Sequence, residues 1–197
     1  MAILIAEDNV AQRPYLRELL EREFPSYHPV IESSDGEETV SLALAHRAAL
    51  CVLDIQMPRL SGVKAASPIW REFPAARIVF WAQFPREVYI NEIRRIIKSV
   101  DPPPAYGFIY KNNPESRFLR FLAAVLEDGA DMIDPAFEDS FKRPLLTEFE
   151  AEALYYALRR GPINSDELEK AAHELEAWIE RDRSRYLQEQ KPRGEKQ

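Results

Sequence analysis

Four side chains in this sequence could act together on a phosphate. Glu7 and Asp8 close the apolar run Ala2–Ala6, Asp54 closes Leu50–Leu53, and Lys111 closes Tyr106–Tyr110. Three carboxylates at one end of a sheet repel one another, and leaving them unpaired in a partly dry crevice is costly. A hard divalent cation with oxygen ligands resolves the repulsion. Mg²⁺ takes a few carboxylates together with water and phosphate oxygens, so Glu7, Asp8 and Asp54 are its candidate ligands. Transfer of a phosphoryl group to a carboxylate also needs neutralised equatorial oxygens, which a metal ion and an ammonium group supply. Asp54 is then the candidate nucleophile, and Lys111 the candidate partner of the phosphoryl oxygens. Taken singly, each residue fits a solvated loop or surface position. Their coincidence at the ends of alternate strands is what points to chemistry.

The elements that must position them follow from the hydrophobic pattern. Ala2–Ala6, Leu50–Leu53, Arg77–Ala82 and Tyr106–Tyr110 are short apolar runs of the kind buried in parallel sheets, and Val30–Ser33 is a weaker strand, the second of five in chain order. Helices are predicted over Pro14–Phe24, Gly36–Arg47, Val63–Phe73, Val88–Val100 and Ser116–Leu126, the third interrupted or bent near Pro68. Regular strand–helix alternation predicts a doubly wound parallel sheet covered on both faces. In such sheets the functional crevice lies beyond the carboxyl ends of the strands. The first, third and fifth predicted strands all end there in an acid or a lysine.

Composition bounds the rest. With 46 % hydrophobic and 30 % charged residues the 197-residue chain reads as a soluble globular protein, and its formal charge of −7 argues against a whole-protein electrostatic grip on nucleic acid. Cys51 is the one cysteine, so no internal disulfide forms, and a reducing cytoplasm is the expected location. The N-terminal residues are too acidic for a signal peptide, and no run approaches a membrane span.

The blocks ILIAEDN, VLDIQMPRLSG and FIYKN resemble the three signature blocks of the response-regulator receiver domain, from Met1 to about Gly129. The resemblance implies a flavodoxin-like α/β fold with a five-stranded sheet. It implies that Asp54 is the phospho-acceptor and that Glu7, Asp8, Asp54 and the backbone carbonyl of Gln56 bind Mg²⁺. It makes Lys111 the family's lysine, a histidine kinase or phosphotransfer protein the partner, and the chain a signalling protein rather than an enzyme. Two switch positions depart from the family. Trp81 stands where a Thr or Ser hydroxyl is usual, and an indole offers one donor on a bulky ring. Phe108 stands where a switching Tyr is frequent. The 30 positions from Trp81 to Lys111 are more than expected, and Asp101-Pro102-Pro103-Pro104 lies in the excess as a stiff, extended loop.

Beyond a receiver at 1–128, the expected organisation is a linker at 129–145, a small all-α output segment at 146–189 and a disordered tail at 190–197. Thr147-Glu148-Phe149-Glu150 is a capping box, and Gly161-Pro162 a stop signal. Residues from Gly129 to Leu168 resemble the linker and first helices of a LuxR/NarL-type helix-turn-helix domain. The turn before a recognition helix is not found, and Ser140–Gln197 holds 11 basic against 12 acidic residues. Arg181, Arg183 and Arg185 form a small basic cluster on what reads as a solvated helix face. Two functions from different classes stay open. One is a transcriptional regulator that dimerises on phosphorylation and binds DNA through a divergent helix-turn-helix. The other is an adaptor whose C-terminal helices mediate homodimerisation or partner binding. A pseudo-receiver that binds metal and ignores phosphate is a third.

Overall fold

The computed structural model describes residues 1–83 and 87–142. The expected helical output segment at 146–189, the tail at 190–197, and the motifs read there lie outside the described residues. The first compact unit of the chain is Met1–Arg143. Its strands are β1 (Ile3–Ala6), β2 (Val30–Ser33), β3 (Leu50–Asp54), β4 (Arg77–Ala82), β5 (Tyr106–Tyr110) and β6 (Met132–Ile133). They form one parallel sheet in the order β2-β1-β3-β4-β5-β6. The helices are α1 (Gln12–Glu23), α2 (Gly36–His46), α3 (Gly62–Glu72), α4 (Glu87–Lys98), α5 (Glu115–Leu126) and the short α6 (Glu138–Lys142).

The alternation of strand side chains sorts the core into two layers. Ile3, Ile5, Leu50, Val52, Val79, Trp81 and Ile109 pack on Leu16, Leu19 and Leu20 of α1 and on Phe118, Leu122 and Val125 of α5. Leu4, Ala6, Cys51, Leu53, Ile78, Phe80 and Phe108 face α2, α3 and α4. Burial on both faces is why these strands read as continuous apolar runs rather than alternating ones.

Local chemistry sets the helix starts around the crevice. Asp35 caps α2 by accepting from the backbone N–H groups of Glu37 and Glu38, and Ser61 caps α3 by accepting from Lys64 N–H. Arg59, at φ 62°, brings its guanidinium onto the Asp35 carboxylate. Helix α3 runs unbroken from Gly62 to Glu72 with Pro68 inside it, which corrects the expected interruption. The helix survives because its apolar face, with Val63, Ala66, Ile69 and Trp70, is buried against the sheet, which outweighs one lost backbone hydrogen bond.

The larger correction concerns the region read as a linker. The sheet has six strands, not five, because Met132 and Ile133 pair with Gly107 and Phe108. A 3-10 turn at Pro135–Phe137 and helix α6 then fold back against α4. Phe137 and Phe141 meet the Phe108 ring at centroid distances of 4.9 and 5.4 Å. Asp134, buried, ties the turn down. Its carboxylate accepts from Asn113 Nδ2 at 2.6 Å, from Ala136 N–H at 3.1 Å and from Arg117 Nη2 at 3.4 Å. Its own N–H donates to the Phe108 carbonyl at 2.9 Å.

Asp134→Ala removes the acceptor from these donors and lowers the unfolding free energy by about 1–3 kcal/mol. Urea denaturation of the full chain checks this. A midpoint equal to wild type would mean that the carboxylate does not hold the segment.

Candidate functional site

Register and alternation bring the predicted residues together. Along β1 and β3, Ile3 and Ile5 pair with Leu50 and Val52, so Glu7 and Asp54 continue the same two rows at the carboxyl edge. Trp81 pairs directly with Asp54. Lys111 follows β5 immediately, and its N–H is fixed by the Ala82 carbonyl at 2.7 Å. The lysine side chain returns over the sheet edge, where Nζ lies 2.6 Å from Glu7 Oε2 and 2.9 Å from Asp54 Oδ2. All three side chains are largely buried, the lysine at 7 % exposure. Asp8 is exposed at the rim.

Several backbone contacts hold the pocket. Gln56 N–H donates to Asp54 Oδ1 at 3.1 Å, and the Gln56 side chain reaches the Tyr89 hydroxyl at 3.4 Å. Arg13 Nη1 donates to the Glu7 carbonyl at 2.8 Å. Asn9 N–H donates to Glu7 Oε1 at 3.1 Å. Gly62 backs the acceptor closely, since a Cβ there would stand 2.1 Å from the Asp54 carbonyl oxygen. Arg13, Asn9 and Tyr89 were not singled out from sequence. Their contacts depend on where loops turn, which no periodicity encodes. Gly62 carried a signal, as the glycine closing the loop after the acceptor strand.

The electrostatics follow from burial. Loss of water raises the carboxyl of Asp54 above its ordinary value; Lys111 and the Gln56 N–H oppose this, and the Asp8 charge adds to it. Burial likewise raises Glu7, against the hydrogen bond and charge of Lys111 and with the charge of Asp54. Three carboxylates share the one ammonium in this cluster. Glu7, Asp8 and Asp54 each offer an oxygen within 4.8 Å of the others, an all-oxygen donor set that fits a small hard cation such as Mg²⁺.

Trp81 and Phe108 lie on opposite faces of the sheet. Trp81 is buried on the α1/α5 side with its ring 5.3 Å from Phe118. Lys111 Nζ stands 4.7 Å from the Trp81 ring centroid. Phe108 is fully buried on the other face beneath Phe137 and Phe141. No helix among the described residues is long and apolar enough to cross a membrane.

A family model described as the response regulator receiver domain matches residues 3–102, just over half of the chain. The transcriptional regulatory protein PdtaR of Mycobacterium tuberculosis is 40 % identical over 86 residues, 44 % of this chain and 41 % of that protein. The oxygen regulatory protein NreC of Staphylococcus epidermidis is 30 % identical over 135 residues, 68 % of this chain and 58 % of that protein. The chain therefore spans roughly two- to three-fifths of the length of these curated relatives. Among solved structures, a two-component response regulator of the LuxR family from Aurantimonas sp. superimposes with a TM-score of 0.60 at 21 % identity, covering 71 % of this chain and 94 % of that one. The isolated receiver domain of RcsB from Salmonella enterica, solved with a phosphomimetic, gives 0.58 at 18 % identity, covering 72 % and 99 %. At such identities the likeness is one of fold.

A carboxyl raised on folding contributes stability below its unfolded value, near pH 4, and that stability is lost as pH rises through the folded value. At neutral pH, ionised Asp54 therefore opposes folding. Asp54→Asn raises the metal-free melting midpoint at pH 7.5 by roughly 2–4 °C, and the gap from wild type narrows as pH falls and the wild-type carboxyl takes up its proton. Added Mg²⁺ raises the wild-type midpoint and moves Asp54→Asn and Glu7→Gln much less. Equal Mg²⁺ responses in all three would remove these residues from the ligand set.

Proposed function

Because the chain belongs to the response regulator receiver family, we propose that it is a two-component regulator that takes a phosphoryl group on Asp54 and acts in transcriptional control. The observation that carries this is the Lys111 ammonium shared between Glu7 and Asp54 at 2.6 and 2.9 Å, with Asp8 at the rim. In the proposed step an Asp54 carboxylate oxygen bonds to phosphorus as the phosphorus–nitrogen bond to a donor imidazole breaks. The imidazole leaves with the electron pair and takes a proton. The donor is a histidine kinase or a phosphotransfer protein.

Each residue has a share in that step. Gln56 N–H orients the acceptor through Oδ1, and Gly62 lets α3 approach behind it. Lys111 neutralises the phosphoryl oxygens once they arrive, since its ammonium already lies within hydrogen-bonding distance of the acceptor. Glu7, Asp8, Asp54 and the Gln56 carbonyl would hold Mg²⁺, which when bound supplies further charge neutralisation at the phosphoryl group. The hydroxyl expected at the end of β4 is replaced by Trp81, and the tyrosine expected in β5 by Phe108. The acid pocket is complete while the two switch positions differ.

For the output, transcriptional control rests on relatives such as PdtaR and NreC, whose names assign them to regulation. DNA contact through a divergent helix-turn-helix and phosphorylation-driven homodimerisation extend that reading. A second reading makes the chain an adaptor whose C-terminal helices bind a partner protein or a second copy. The near-neutral balance of Ser140–Gln197, 11 basic and 12 acidic residues, favours it, since groove-binding elements usually present Arg and Lys.

Light scattering of the full chain in Mg²⁺, with and without beryllofluoride, separates these readings. The regulator reading predicts a monomer that becomes a dimer with the phosphoryl mimic, and an Asp54→Asn variant that stays monomeric. A constitutive dimer indifferent to the mimic would favour the adaptor.

A further inference from the structure

Sheet register places Trp81 beside the acceptor aspartate, on the same face of the sheet. Its indole is 8 % exposed and leans on Phe118 of α5 at 5.3 Å and 32°. The Lys111 ammonium lies 4.7 Å from the ring centroid, within range of a cation–π attraction. The same nitrogen contacts Glu7 and Asp54. An ammonium has three donors and no acceptor. Two carboxylate oxygens and one aromatic face therefore surround it. The ring cannot replace a hydroxyl as a donor to phosphate oxygens, but it shields the lysine from water, which strengthens its charge interactions.

We infer that Trp81 is a positioning residue for phosphoryl transfer: its indole face, braced by Phe118, holds the Lys111 ammonium against the Asp54 carboxylate. The inference rests on Asp54 being the acceptor. It gives the unusual residue at the end of β4 a role in the pocket beyond filling space above the strand. A desolvated cation–π contact corresponds to about a five- to thirtyfold effect on an equilibrium that depends on it.

The test is the affinity of the Mg²⁺-loaded full chain for beryllofluoride, with melting midpoints recorded for every variant. Trp81→Phe keeps an aromatic face and is expected to bind within about threefold of wild type. Trp81→Leu keeps bulk without a π face and is expected to bind roughly five- to thirtyfold more weakly. Should Trp81→Leu fail to fold, Trp81→Met serves in its place. In a Lys111→Met background the difference between the Phe and Leu variants is expected to vanish, an outcome that a packing role would not produce. Leu and Phe variants that bind alike, or a difference that persists without Lys111, overturns the inference alone. Absence of binding by wild type overturns the acceptor reading and the inference with it.

Discussion

Everything at the carboxyl edge of this sheet depends on one buried cation placed between two buried anions. Lys111 Nζ touches both Glu7 and Asp54 inside a pocket that water barely reaches. Burial pushes both carboxyls upward, and the Lys111 hydrogen bonds and charge oppose that push. Three carboxylates around one ammonium form an all-oxygen donor set that fits a small hard cation. Residues in an apolar core would be more stable; a site that handles phosphate keeps its charges and accepts the desolvation cost.

The fold serves that arrangement through register. Parallel pairing aligns the ends of β1, β3 and β4, and alternation turns Glu7, Asp54 and Trp81 to the same face. Lys111 enters from β5 along a loop that is tied at its other end. Asn113, two residues on, donates to both the Tyr110 carbonyl and Asp134. The segment carrying the pocket lysine is thus the segment that anchors the sixth strand and the Phe137–Phe141 cover. The cover lies over Phe108, so that ring is sealed by the chain's own continuation.

Much of this was legible in the sequence, for identifiable reasons. Strands buried on both faces leave apolar runs, and each run here stops at a polar residue that marks the crevice. Those stops place Glu7, Asp8, Asp54 and Lys111 at one edge of the sheet, while Trp81 and Phe108 stand out only against the family resemblance. Strand β6 was not legible because Met132-Ile133 is too short for a period and borrows its hydrogen bonds from Phe108 and Gly107, far away in the chain. Asp134 read as one linker acid among several, since its donors come from β5 and α5. Helix α3 defied Pro68 because tertiary burial overrides local preference. The Lys111–Trp81 contact depends on side-chain paths across two strands, which spacing alone does not give.

The most direct measurement of the central claim is to incubate the full chain with Mg²⁺ and a small-molecule phosphodonor, then locate any adduct by peptide mass spectrometry after borohydride trapping. The account predicts a single acyl phosphate, read after reduction as homoserine on the peptide containing residue 54, absent in Asp54→Asn and reduced in Lys111→Met. A wild-type chain that stays unmodified in Mg²⁺, or an adduct that survives Asp54→Asn, would contradict it.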